Sequence, residues 1–372
     1  MRSCKRQLNI GNNIDAPADL DSIASAIGYA FLSAKDSKIV PLIQTPRDSL
    51  QLRPENMDAF KMASLDPSFL LTSSDIPPMP TPQPARFALV DHNRLLSSFT
   101  GEVVAIIDHH EDENLHTTAD PRVIKPVGSC ASLVTLQLRS TLEHGSAGQF
   151  EDIAILLLSA ILIDTGALKA KGKAIEEDYQ AAQLLMPLTS LDTDVGSVAV
   201  KGSPIPAPLQ AYFEALSLAK SSVGDFSTRD LLRRDYKEYG YSTGTLCGLA
   251  TVPIKLEPWH DRDTDEFWGG IDTWMEERKL HILGILTTFK SAKKGKGRRQ
   301  SVWVVRGEGE EFDRLADNLF NGIEKSELQV EDIGKLKGQK KRRVRVYRHQ
   351  NTKATRKAVA PLVQEIIEGS KK

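Results

Sequence analysis

Apolar and polar positions alternate along the first half of the chain in two rhythms. Short apolar runs read as strands: Leu8-Asn9-Ile10, Lys38 to Ile43, Phe87 to Val90 and Val103 to Ile107. The last two are continuously apolar, as strands buried on both faces should be. Between the runs the spacing changes to a helical one. Ile23, Ala26, Ile27, Ala30 and Phe31 recur at helical intervals, Asp48 to Lys61 offers helix and turn, and Ser129 to Leu138 and Glu151 to Ile163 read as helices. Strand–helix alternation of this kind predicts an α/β domain built on a doubly wound parallel sheet. Pro77, Pro78, Pro80, Pro82 and Pro84 predict a stiff surface connection.

The rhythm changes again after Pro204, Pro206 and Pro208, and residues 196–225 read as a connector. Beyond it, Thr245 to Val252, His281 to Thr288 and Val302 to Val305 read as strands among helices and basic loops, which predicts a smaller α+β domain. With 372 residues the chain is too long for one ordinary core. The expected division is the α/β domain over 1–200, a linker or hinge over 201–225, and the α+β C-terminal domain over 226–372.

Charge sharpens that division. Residues 226–372 carry 30 Lys+Arg against 22 Asp+Glu, a net of +8; from totals of 48 and 49 this leaves 18 and 27, a net of −9, for residues 1–225. An acidic half beside a basic half suits carboxylates that hold cations and a second domain that holds an anion; two differently solvated surfaces are the plainer reading of charge alone. Cys4, Cys130 and Cys247 show neither ligand spacing nor a disulfide framework. The longest apolar run, Ile153 to Ile163, is too short to span a bilayer, and Met1 to Arg6 lacks the apolar stretch of a secretory signal. A cytoplasmic protein with no membrane partner is the expectation.

Four short segments place metal-type ligands at the ends of predicted elements. They are Asp19-Leu20-Asp21-Ser22, Val90-Asp91-His92-Asn93, Ile107-Asp108-His109-His110 and Ile163-Asp164-Thr165-Gly166. Strand carboxyl ends line the ligand crevice of open α/β sheets. An Asp/His cluster there, without thiolates, suits Mn²⁺, Mg²⁺ or Co²⁺ rather than structural zinc. Taken singly, Asp19 and Asp21 read equally well as helix N-caps, and Asp164 as a helix terminator; their equivalent placement is what argues for one site.

These segments resemble the motifs of the DHH phosphoesterases, most closely the fungal exopolyphosphatase-like branch, with prune-type phosphoesterases and family II inorganic pyrophosphatases as relatives. Gly11-Asn12 with Asp19 to Ala26 resembles the first motif, Leu89 to Asn93 the second, Asp108-His109-His110 the third and Leu158 to Gly166 the fourth; Gly128 to Ser132 is similar to a loop of this branch. Arg234-Asp235-Tyr236-Lys237 and Thr355 to Pro361 resemble the two phosphate-binding motifs of the associated C-terminal domain. The resemblance implies two divalent cations, Mn²⁺ or Mg²⁺, with Asp19, Asp21, Asp91, His109 and Asp164 as ligands. It implies that Asp108 supports the histidines and that His110 meets substrate phosphate. Asn93, Ser129, Lys237, Arg356 and Lys357 are implied as further substrate contacts, the last three also as catalytic cations. One departure stands out: six residues, Asn13 to Ala18, separate Gly11-Asn12 from the aspartates where the family has three, and Asp15 lies at the expected spacing. The chain also starts almost at the first strand, where a leading helix is usual, so its N-terminus is read as either truncated or degenerate.

The function implied is two-metal hydrolysis of inorganic polyphosphate from its ends, with the basic domain closing over the acidic one. The N-terminus of the helix opened by Ser129 is a natural anion site. The basic runs Lys290 to Arg299 and Lys335 to Arg348 suit a polyanion, the first reading equally as a flexible solvated loop. Without aromatic interleaving, nucleic acid is not an expected partner. A monomer is expected. The alternatives are a pyrophosphatase or prune-like short-chain polyphosphatase or nucleotide phosphodiesterase, and a non-catalytic interaction protein on the same fold.

Overall fold

A computed structural model describes residues 7–10, 19–33, 39–76, 85–96, 98–144, 148–169, 172–191, 205–291, 295–339 and 343–369. Residues 11–18, with Gly11-Asn12 and Asp15 of the first motif, the proline connection at 77–84 and the start of the connector, 196–204, lie outside them. The chain divides into two compact units, residues 1–220 and 221–372.

Unit 1 opens with β1 (Gln7–Ile10), α1 (Leu20–Leu32), β2 (Ile39–Ile43), α2 (Pro54–Met62) and β3 (Leu71–Thr72). It continues with β4 (Ala85–Val90), β5 (Gly101–Asp108), β6 (Arg122–Ile124), α3 (Cys130–Gln137), α4 (Arg139–Glu143), α5 (Glu151–Thr165), α6 (Glu176–Leu185) and α7 (Ala207–Ser221), whose last residue begins the second unit. The six strands form one parallel sheet in the order β3-β2-β1-β4-β5-β6. The order reverses between β1 and β4, which makes their carboxyl ends the switch point of the sheet.

The continuous apolar strands are buried on both faces. Ala88, Val90, Ala105 and Ile107 face the core formed with α1, α3 and α5, while Phe87, Leu89, Val103 and Ile106 pack under Leu95, Phe99 and Ala119. Helix α5 is apolar almost all round because nearly every residue from Ile153 to Leu162 is buried. It stops at Gly166, whose positive φ of 65° gives the left-handed C-terminal cap.

The expected connector is partly a helix. Pro206 and Pro208 stand at the start of α7 rather than in an extended link, because proline is tolerated in a first turn. Leu209, Tyr212 and Leu216 then recur at helical spacing and bury into the unit 1 core, where the Tyr212 hydroxyl lies 2.7 Å from Ser159 Oγ.

Unit 2 comprises α8 (Thr228–Arg234), β7 (Tyr236–Gly240), β8 (Leu246–Val252), α9 (Leu256–Arg262), α10 (Thr264–Glu277), β9 (Ile282–Lys290), β10 (Gly297–Val305), α11 (Glu310–Glu324), β11 (Val330–Asp332), β12 (Arg343–His349) and α12 (Arg356–Gly369). Its sheet, ordered β11-β12-β10-β9-β8-β7, is antiparallel except for the β8–β9 pair. Leu231, Phe267 and Ile271 of α8 and α10 cover one face, and Leu319, Ile323 and Val363 of α11 and α12 the other.

The end of the basic run from Lys335 is strand β12, and the three arginines of the run within it are paired, while residues 340–342 lie outside the described residues. Arg343 meets Asp313 at 2.5 Å, Arg348 meets Glu331 at 3.2 Å and Arg345 meets Asp332 at 3.7 Å. These three side chains are matched by acids within unit 2, so the strand offers a polyanion less free charge than its sequence suggests.

Candidate metal centre

The first acidic pair does not sit in a loop. Asp19 is the N-cap of α1, its carboxylate accepting from the Ser22 amide at 3.1 Å, and Asp21 lies in the first helical turn and is buried. The N-cap reading of Asp19 is therefore realised, and the helix begins three residues earlier than its apolar spacing suggests. Ser22, in the first turn of α1, donates its hydroxyl to Asp91 Oδ2.

Asp91 directly follows β4 and holds a positive φ of 66°, a conformation in which its own amide still donates to Ile107 O at 2.9 Å. A non-glycine residue held there is uncommon and is a mark of functional positions. Asp108 ends β5 and is fully buried. Its Oδ1 accepts the amides of His109 at 2.8 Å and His110 at 3.2 Å, and faces His110 Nδ1 at 2.8 Å. Its Oδ2 accepts from Asn93 Nδ2 at 2.5 Å.

The histidines are aimed by these partners. Val127 O accepts from His109 Nδ1 at 3.1 Å, which leaves Nε2 as the lone-pair nitrogen. That nitrogen stands 3.3 Å from Asp91 Oδ1 and 3.8 Å from Asp21 Oδ2. Donors that each stand about 2.1 Å from one octahedral ion are about 3 Å apart, so these separations fit a shared cation. With His110 added, one ligand atom each of Asp91, His109 and His110 fall within 4.8 Å of one another. The His110 ring is less enclosed, with 41% of its side chain exposed.

Asp21 is held by the N-terminus of α3. Its Oδ1 accepts from Ser129 Oγ at 2.7 Å and the Ala131 amide at 2.9 Å, and its Oδ2 from the Cys130 amide at 2.7 Å. The anion at this helix terminus is thus the protein's own carboxylate. Ser129, expected to meet substrate, is fully buried and donates inward. Asn93 is likewise turned to the protein. Its amide joins Asp108 to Glu111 O at 2.9 Å, and its carbonyl accepts from the Glu113 amide at 3.0 Å.

The carboxylates crowd one another. Burial first, then the charges of Asp21 and Asp19, push the Asp91 and Asp164 carboxyls well above their ordinary range. Burial also raises Asp21, with His109 opposing the rise. Burial works against the Asp19 charge too, yet Arg53 and the Ser22 amide hold that carboxyl below its usual value. Carboxylates that resist ionising together are the chemistry a divalent cation relieves. The donor set, with oxygens from carboxylates and one oriented imidazole, fits Mn²⁺ or Mg²⁺ better than a thiolate-seeking ion.

Sequence reading missed Ser22, Val127, Arg53 and Asp178 as parts of this arrangement. Only Ser22 carried a signal, through its place in Asp19-Leu20-Asp21-Ser22. In unit 2 the two basic motifs do meet. Arg356 opens α12 and binds Asp235 through its side chain at 2.7 Å and through the Asp235 carbonyl at 2.8 Å. Lys237 and Lys357 are exposed, and Arg356 is half-buried.

Fold and site together describe an α/β protein with a candidate metal centre at the switch point of its parallel sheet. Residues 14–161 match the DHH family, N-terminal domain, and residues 214–366 match the DHHA2 domain. The chain belongs to the DHH superfamily and is exopolyphosphatase-like. It is 30% identical over 374 residues to the "Putative exopolyphosphatase" of Schizosaccharomyces pombe, covering 94% of this chain and 88% of that protein. It is 29% identical over 231 residues to the "Probable manganese-dependent inorganic pyrophosphatase" of Deinococcus radiodurans, covering 60% of this chain and 63% of that one. The crystal structure of a Methanococcus jannaschii "putative family II inorganic pyrophosphatase" shares the fold, with a TM-score of 0.59 at 19% identity over 98% of this chain and 100% of that chain.

Among the described residues, no helix is long and apolar enough to cross a membrane.

Proposed function

We propose that this protein is a divalent-metal-dependent phosphoanhydride hydrolase that releases orthophosphate from the ends of inorganic polyphosphate. The observation that carries the reading is the orientation of His109. Its Nδ1 proton is committed to the Val127 carbonyl, and its Nε2 lone pair faces the carboxylates of Asp91 and Asp21.

Asp21, Asp91 and His109 would hold metal, and Asp19 and Asp164, whose carboxyls interact electrostatically with this cluster, would complete the ligand set of two ions. Divalent cations bound there supply acidified water and neutralise phosphate oxygens. The protein's own groups do the rest. Asp108 accepts the Nδ1 proton of His110, so Nε2 of a half-exposed imidazole is left to exchange a hydrogen bond with a phosphate oxygen. Lys237, Arg356 and Lys357 carry the positive charge that phosphate oxygens require, and Asp235 fixes the guanidinium of Arg356 in advance of binding.

Polyphosphate is favoured because the Schizosaccharomyces pombe relative, named an exopolyphosphatase, matches nearly the whole chain. Pyrophosphate is the second reading. It is supported by the manganese-dependent relative and by the pairing of Arg343, Arg345 and Arg348 with acids, which leaves less surface for a long polyanion. Phosphate release from long polyphosphate, tripolyphosphate and pyrophosphate in Mn²⁺ separates the two. Progressive release from long chains supports the exopolyphosphatase, and turnover of pyrophosphate alone moves the protein to the second reading.

A further inference from the structure

Helix α3 starts against two carboxylates, and only one of them belongs to the metal cluster. The other is Asp178, fully buried in the first turn of α6. Its Oδ1 accepts from the Ser129 amide at 3.3 Å and Ser132 Oγ at 2.6 Å. Its Oδ2 accepts from the Gly128 amide at 3.0 Å and the Ile175 amide at 2.8 Å. A carboxylate offers about four lone-pair sites, and here each has a donor.

The two carboxylates divide the start of the helix in strict sequence. Asp178 takes the amides of Gly128 and Ser129, while Asp21 takes the Ser129 hydroxyl and the amides of Cys130 and Ala131. Residue 128 must be glycine for this to occur. An added Cβ would come within 2.7 Å of Asp178 Oδ2 and within 2.7 Å of Thr165 Cγ2. The loop is therefore pressed against Asp178, and the donors that grip Asp21 are the very next ones along the backbone. Asp21 Oδ2 accepts only the Cys130 amide, which leaves it a lone pair on the side where His109 Nε2 lies 3.8 Å away.

We propose that Asp178 is a positioning residue of the metal centre: by fixing the Gly128–Ser129 loop, it sets where Asp21 Oδ2 stands relative to His109 Nε2. Asp178 itself touches neither group. This role rests on the reading of Asp21 and His109 as metal ligands, and it predicts that metal affinity depends on a carboxylate outside the ligand set.

The test is a Mn²⁺ titration of the metal-stripped full chain, with free ion followed by electron paramagnetic resonance and folding followed by thermal melting in chelator. Asp178→Asn keeps the size but turns an NH₂ toward backbone N–H donors. Its Mn²⁺ dissociation constant is expected to rise by up to roughly 10-fold, the low end of the cost of losing a group that bonds a metal ligand directly, because Asp178 acts one bond further out. Ser132→Ala removes one donor and leaves the carboxylate intact, so a smaller rise in the same direction is expected. Tyr212→Phe removes a buried hydroxyl of α7 that meets Ser159 Oγ, outside every ligand motif, and should lower the melting temperature without changing Mn²⁺ affinity. Folded Asp178→Asn with wild-type affinity overturns the role. If that variant does not fold, unchanged affinity in Ser132→Ala overturns it instead. Absence of Mn²⁺ binding by the wild type overturns the metal centre itself, a separate result from a wild type that binds and variants that match it.

Discussion

Val127 decides which nitrogen of His109 faces the acids. Its carbonyl lies 3.1 Å from His109 Nδ1, so Nε2 looks toward Asp91 Oδ1 at 3.3 Å. A backbone group following β6 thereby sets the tautomer of a side chain that follows β5, the arrangement through which metal-binding histidines are commonly oriented.

If Asp91 and His109 share an ion, each is indispensable to it. Asp91→Asn and His109→Ala should each weaken Mn²⁺ binding by more than about 100-fold, beyond what an outer-shell loss costs, and abolish phosphate release. Calorimetric titration of the two variants checks this.

The acidic cluster should cost the metal-free protein stability. The carboxyls of Asp21, Asp91 and Asp164 are raised above their unfolded values, chiefly by burial. Their contribution is therefore fully present only below the unfolded pKa and is lost as pH rises through the folded one. At neutral pH, metal-stripped Asp91→Asn should melt above the metal-stripped wild type. Saturating Mn²⁺ should reverse that order, since a ligand at 100 times its Kd adds about 2.7 kcal/mol to the folded state. Melting curves with and without chelator read both effects.

His110 is predicted to act on substrate more than on metal. Its Nδ1 is tied to Asp108 at 2.8 Å, and its ring is the more exposed of the two. His110→Ala should lower kcat by roughly 10²- to 10⁴-fold, the range for loss of a proton-transfer group, while changing Mn²⁺ affinity far less than His109→Ala does. Equal losses of affinity in the two variants would place His110 among the ligands instead.

Unit 2 carries a pH-dependent element of its own. His349 is buried, with Nε2 2.8 Å from Ser301 Oγ, and burial together with Arg299 pushes its imidazole from 6.5 down to about 4. A depressed histidine contributes stability that is present above pH 6.5 and declines as pH falls toward 4, because the unfolded chain takes up the proton first. The contribution is at most about 3 kcal/mol. Chemical denaturation across this window should show a steeper loss in the wild type than in His349→Gln.

Much of unit 1 was legible in the sequence, for identifiable reasons. Phe87 to Val90 and Val103 to Ile107 are apolar at every position because both sheet faces are buried, and the candidate ligands Asp91 and His109, with Asp108 as support of the histidines, stand where those strands stop. Strand β12 was hidden behind charge. Arg343, Arg345 and Arg348 dominate the run, while Val344 and Val346 face the core at the two-residue spacing of a strand. Helix α7 was masked by its prolines, which mark a first turn as readily as a connector. Val127 and Asp178 were out of reach because their roles depend on backbone groups: a carbonyl eighteen residues from His109, and amides fifty and forty-nine residues from Asp178. Ser129 and Asn93 read as substrate contacts in the sequence, whereas in the structure their side chains bond to Asp21 and to Asp108, Glu111 and Glu113.

The central claim is that Asp91, Asp21 and His109 form a metal centre for phosphoanhydride hydrolysis. It is tested most directly by assaying phosphate release from long-chain polyphosphate with metal-stripped protein while Mn²⁺ is added back. The account predicts no release before addition, saturable recovery with Mn²⁺, and no recovery in Asp91→Asn. Release that is the same with and without metal, or recovery undiminished in Asp91→Asn, would contradict it.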